Sequence, residues 1–66
     1  MNIIINGQKL EFKEEMSIKM FLDTKNISPE SVVVELNQSI IPSENYHTTW
    51  LTSNDKLEIL RFVGGG

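Results

Sequence analysis

The stretch MNIIINGQKLEF, residues 1–12, places two apolar runs, Ile3-Ile4-Ile5 and Leu10 with Phe12, on either side of Asn6-Gly7. Asn and Gly both accept the positive φ that a type I′ turn demands, so the stretch predicts an antiparallel hairpin with strands near 2–6 and 8–13.

Beyond the hairpin the period changes. Ile18, Phe21 and Leu22 recur at i, i+3 and i+4, Ser17 offers an oxygen to cap the first turn, and Glu14 and Glu15 sit where a helix N-terminus favours negative charge. The spacing predicts a short helix over about 17–25, stopped at Asn26, with Lys19, Asp23 and Lys25 facing away from its apolar stripe.

After the turn at Ser28-Pro29-Glu30, Val32 to Leu36 reads as a β-branched strand and Ile40-Ile41-Pro42 as a short edge strand. Residues 43–49 are polar and irregular, and Trp50 and Leu51 are expected to anchor this loop on the core. A second turn cluster, residues 52–56, precedes a last strand over Leu57 to Val63. Met16 and Met20 read as gap fillers beside the helix.

Hairpin, helix, strand, short strand and final strand imply one sheet with one helix to cover one of its faces. The expected class is therefore α+β, a β-grasp with a mixed sheet of four to five strands and one main helix. The first and last strands should lie parallel at its centre. Residues 1–63 form the expected domain, and Gly64, Gly65 and Gly66 form a flexible tail leaving the middle of the sheet.

Composition narrows the function. With 66 residues the chain has room for a single domain burying roughly 60% of its unfolded surface. The absence of alanine and cysteine leaves a core of large aliphatic side chains and excludes disulfides, thiolate metal sites and a cysteine nucleophile. A formal charge of −3, with six Lys and Arg residues scattered along the chain, argues against nucleic acid and for basic protein partners. The opening apolar run is too short for a signal sequence or a membrane span, so a cytoplasmic location is expected.

The tail carries the most specific chemistry. Three residues without Cβ can thread a channel too narrow for any side chain. A terminal carboxylate becomes an electrophile once it attacks the α-phosphate of a nucleotide, because sulfur or an amine can then open the acyl-adenylate. No phosphate-cradling motif is present, so no cofactor is expected on this chain, and the activating machinery must belong to a partner. Period-2 alternation in the last strand sends Leu57 and Ile59 to one face and Glu58, Leu60 and Phe62 to the other. With Val33 and Glu35, the second set forms an expected partner-docking patch leading to the tail. His47 reads as a surface-loop residue, and the acidic residues are assigned no catalysis.

The segments MNIIINGQKL, VVVELNQSIIPSENYHTTWL and LEILRFVGGG together resemble the ThiS family of sulfur carriers in thiamin biosynthesis, a ubiquitin-like β-grasp family. The most specific parts are Val34 to Asn37, Ile41-Pro42 and the strand entering Gly65-Gly66. One departure is Ser53-Asn54-Asp55, where the family commonly has Asp-Gly-Asp. The resemblance implies a carrier without its own catalytic site, whose Gly66 is adenylated by an E1-like enzyme of the ThiF type using ATP. It implies conversion to a thiocarboxylate with sulfur relayed from a cysteine desulfurase, and delivery to a thiazole synthase of the ThiG type. Three alternatives stay open: a molybdopterin-synthase small subunit, a ubiquitin-like modifier joined to lysine, and an interaction module with an inert tail.

Overall fold

The computed structural model describes residues 1–62. Five strands and one helix occur in the order β1 (Asn2–Ile5), β2 (Gln8–Glu11), α1 (Ile18–Thr24), β3 (Val32–Leu36), β4 (Ser39–Ile41) and β5 (Lys56–Arg61). One-turn 3₁₀ segments, Pro29–Ser31 and Ser43–Asn45, lie in the connections.

The sheet order is β2-β1-β5-β3-β4. β1 pairs antiparallel with β2 and parallel with β5, while β3 runs antiparallel to both β4 and β5. The first and last strands are thus neighbours at the centre, and helix α1 serves as the crossover cover. This is the expected β-grasp.

The hairpin turn has φ of 49° at Asn6 and 83° at Gly7, the two positive values that type I′ requires. Beyond β2 the pairing is continued by Met1 and Phe12, which exchange hydrogen bonds of 2.9 and 2.8 Å through their main-chain groups. The regular strand nevertheless stops at Glu11, two residues short of the expected end.

Helix α1 begins where the cap predicts. The Ser17 hydroxyl accepts from the Met20 N–H at 3.1 Å, satisfying one of the orphan donors of the first turn. The Ile18 and Lys19 N–H groups, also orphans, donate to the carbonyls of Thr49 and Tyr46, both at 3.0 Å. Glu14 and Glu15 precede the cap instead of entering the first turn, which holds no acidic residue.

At its other end the helix closes with a Schellman motif. Asn26 has φ of 57°, and the N–H groups of Ile27 and Asn26 reach back to Leu22 and Asp23 at 2.9 and 3.1 Å.

Ile3, Ile5, Ile18, Phe21, Leu22, Val32, Val34, Tyr46, Leu51, Leu57 and Ile59 form the core. Two expectations fail here. Trp50 is 52% exposed, and the loop's anchor is Tyr46, 3% exposed, together with Leu51. The reason is that the loop docks through its backbone on the helix start, which turns Tyr46 inward and leaves the Trp50 ring outside. Met20 is exposed as well, so of the two expected gap fillers Met16 alone packs against the core.

Candidate functional site

β5 is the central strand of the sheet and the last regular element of the described residues. Two turn asparagines hold it. The Asn6 side chain, at the tip of the β1–β2 turn, accepts from the Ile59 N–H at 2.8 Å and donates to the Ile59 carbonyl at 3.3 Å. Asn37, at the β3–β4 turn, accepts from the Lys56 N–H at 2.9 Å and donates to the Asp55 carboxylate at 3.0 Å. Both asparagines have positive φ, so the residues that shape the two turns also clamp β5 with their amides.

Asp55 has a second role. Its carboxylate accepts from the Thr52 N–H at 2.8 Å, and the turn it stabilises carries Asn54 at φ of 75°. The Ser53-Asn54-Asp55 sequence therefore makes the required left-handed step with Asn in place of glycine.

The alternation along β5 places Leu57 and Ile59 in the core and Leu60, 54% exposed, on the uncovered face of the sheet. Phe62, just past the strand, is 63% exposed, and its N–H donates to the Ser31 carbonyl at 3.1 Å. Val33, half-buried, lies directly opposite Leu60, and Glu35 opposite Glu58. Ile40, 67% exposed, pairs with Glu35 and extends this face across β4. Ile40 was missed as a member of the face because a three-residue edge strand is too short to display its own alternation.

Gly64, Gly65 and Gly66, the residues to which the sequence assigns the chemistry, lie outside the described residues, as does Val63. The regular strand ends at Arg61 instead of Val63. His47 is exposed in the loop after the second 3₁₀ segment. Among the described residues no group of three His, Cys, Asp or Glu side chains could hold a metal ion, and no helix is long and apolar enough to cross a membrane.

Two titrating groups are perturbed. The Ser28 hydroxyl donates to Glu30 at 2.9 Å and, with the backbone, holds its carboxyl below the usual carboxylate range. Burial pushes the Tyr46 phenol above its ordinary value, opposed by a hydrogen bond with the Val34 backbone. Tyr46 lies in the core, whereas Glu30 is exposed.

A family model described as the ThiS family matches residues 3–66. The chain belongs to the ThiS family. Its relatives include the sulfur carrier protein ThiS of Bacillus subtilis, 36% identical over 63 residues, with 94% of this chain and 96% of that protein covered. A Pyropia yezoensis protein called ycf40 is 37% identical over 65 residues, covering 98% of this chain and 92% of its own length. Among solved structures, the thiamine biosynthesis protein ThiS of Geobacter metallireducens superposes with a TM-score of 0.84 at 30% identity, each chain covered completely. A thiazole synthase from Paramagnetospirillum magneticum is 35% identical over 66 residues, all of this chain but 20% of that protein. The ThiS family is one of sulfur carriers in thiamin biosynthesis, and the β-grasp sheet with its single helix agrees with the Geobacter ThiS fold.

Proposed function

We propose that this chain carries sulfur as a thiocarboxylate on Gly66 for the synthesis of a thiazole. The observation that carries the reading is the ThiS family match, which runs through residue 66 and so includes the terminal glycines. In the first step a Gly66 carboxylate oxygen attacks the α-phosphate of ATP, and the bond to pyrophosphate breaks. Hydrosulfide then adds to the acyl carbon and expels AMP, leaving a thiocarboxylate and a released proton. Where a cysteine desulfurase delivers the sulfur as a persulfide, the acyl disulfide formed on loss of AMP is reduced by a thiol to the same thiocarboxylate, with a disulfide as the oxidised product.

Both steps need an E1-like partner, and the face bearing Leu60, Phe62 and Val33 is the proposed docking surface. Leu60 and Phe62, both more than half exposed, with Val33 half-buried beside Leu60, are what a partner must bury to grip the carrier. Gly64 and Gly65 would then thread the partner's channel, since neither presents a side chain to obstruct it.

A thiazole synthase is the proposed acceptor. Two proteins bearing that name, from Paramagnetospirillum magneticum and Magnetococcus marinus, each contain a segment similar to this entire chain over 20% of their length. Tethering a carrier to the enzyme that uses it raises its effective concentration, which supports a working association between the two.

The deciding experiment is intact-mass analysis after incubation with an E1-like partner, ATP and sulfide, followed by fragmentation. Replacement of one oxygen by sulfur at Gly66 is expected. An unmodified terminus under conditions that load an authentic ThiS overturns the reading, and a stable adduct to lysine in another protein assigns the chain to the modifiers instead.

A further inference from the structure

On the helix side of the sheet, opposite the Leu60 and Phe62 face, lies a groove of about 390 Å³. Ile5 and Ile59 belong to its lining from the sheet, Leu10 and Gln8 from β2, and Phe21 and Ile27 from the helix and its C-terminal cap. Its volume falls in the range of sites that accept a few side chains or a small ligand.

Two cations also line it, Lys25 and Arg61. Their convergence is notable in a chain of net charge −3. Lys19, one turn and a half before Lys25, is neutralised by Asp23 at 2.8 Å. Lys25 and Arg61 have no ion-pair partner among the described residues. The Schellman turn fixes the position of Lys25, whose ammonium lies 5.9 Å from the Phe21 ring centroid, and Phe21 itself lines the groove.

A third feature selects the kind of occupant. β2 pairs with β1 alone and forms one edge of the sheet. Its outer backbone N–H and C=O groups therefore have no strand partner, and they run beside the groove that Gln8 and Leu10 help to line. A free edge next to an apolar trough is a template for an added strand.

We propose that this groove binds an extended peptide segment of a protein partner, one with an apolar centre flanked by acidic residues, which adds to the outer edge of β2. Main-chain bonds to β2 supply register, apolar side chains enter the trough over Ile5, Leu10, Phe21 and Ile59, and a carboxylate meets Lys25 and Arg61. Because Ile59 and Arg61 alternate with Leu60 and Phe62 along β5, the groove and the docking face occupy opposite sides of one strand. A partner held in the groove thus leaves the other face free. The inference stands whether or not Gly66 carries sulfur.

The test is an amide NMR titration of the full chain with acetyl-Asp-Val-Ile-Val-Asp-amide at millimolar concentration, with acetyl-Lys-Val-Ile-Val-Lys-amide as control. Shifts confined to residues 8–11, Phe21, Lys25 and Arg61, with the acidic peptide only, are expected. Lys25→Glu and Arg61→Glu should each weaken that binding about tenfold while leaving the spectrum elsewhere unchanged. Equal binding of both peptides, shifts on the Leu60 and Phe62 face, or no shift at all overturns the proposal. So does an equal response to sodium butyrate, which would make the groove a site for free carboxylates.

Discussion

Asn6 and Ile59 are 53 residues apart and exchange two hydrogen bonds, one to the Ile59 N–H and one to its carbonyl. β1 ends at Ile5, so beyond Leu57 the central strand has lost its parallel neighbour on that side. The Asn6 amide supplies one donor and one acceptor there, which is what the next residue of a strand would have offered.

Replacing Asn6 with glycine keeps the positive φ of the turn and deletes only this clamp. We expect a loss of about 1–2 kcal/mol, on the scale of two part-buried hydrogen bonds, with faster amide exchange at Ile59. An Ile59 amide as protected as in the parent would mean the clamp contributes nothing.

Tyr46 and Trp50 should respond in opposite ways to truncation. Tyr46→Ala removes a buried ring and is expected to cost about 3 kcal/mol or more. Trp50→Ala removes one that is half exposed and should cost less than about 1 kcal/mol. Denaturant titrations of the two variants check the order, and a reversed order would place the indole in the core.

Tyr46 also sets an alkaline limit. Burial disfavours the phenolate, so the folded pKa lies above the ordinary 10.0 at which the unfolded chain ionises. The stability contributed by the neutral phenol is complete below that ordinary value and is lost as pH rises through the folded one. Tyr46 is the single tyrosine of the chain. Stability curves of the parent and Tyr46→Phe should therefore diverge only above about pH 10, with the parent falling faster.

Ser17→Ala deletes the N-cap acceptor for Met20. A loss of about 1 kcal/mol is expected, measured by thermal unfolding. Because the Ile18 and Lys19 donors remain tied to the loop carbonyls, the helix should persist in the variant's circular dichroism spectrum.

Leu60→Glu and Phe62→Glu test the docking face. Each is expected to weaken binding to the E1-like partner about tenfold or more, with a melting temperature close to the parent's, since both side chains already meet solvent. Unchanged affinity in a calorimetric titration removes these residues from the interface.

The hairpin, the helix cap, the Asn26 stop and the parallel pairing of first and last strands were legible in the sequence, because each rests on a local signal or on topology that admits few solutions. The 43–50 loop was not. Its docking is decided by main-chain carbonyls of Tyr46 and Thr49 meeting the helix start, and backbone contacts leave no trace in side-chain hydropathy. The larger aromatic was accordingly expected inside. The β3–β4 turn was also hard to foresee, since Gln38 takes a φ of 75° that its side chain does not favour. Neighbouring Asn37, bonded to Lys56 and Asp55, fixes that turn from across the sheet. The exposure of Leu60 and Phe62 was readable from alternation in β5, whereas the groove was not, because Lys25 and Arg61 come to line it only once the helix is laid on the sheet.

The parallel placement of β1 beside β5, with β3 on the other flank, has a mechanical meaning. A pull applied beyond Phe62 runs along β5 and loads the hydrogen bonds to both neighbours in shear, all at once, instead of peeling them one by one. Under the proposed function, in which a partner draws on this end, the sheet transmits that tension without unravelling. Force spectroscopy with the handle at the C-terminus should record a higher rupture force than the same domain pulled through edge strand β4.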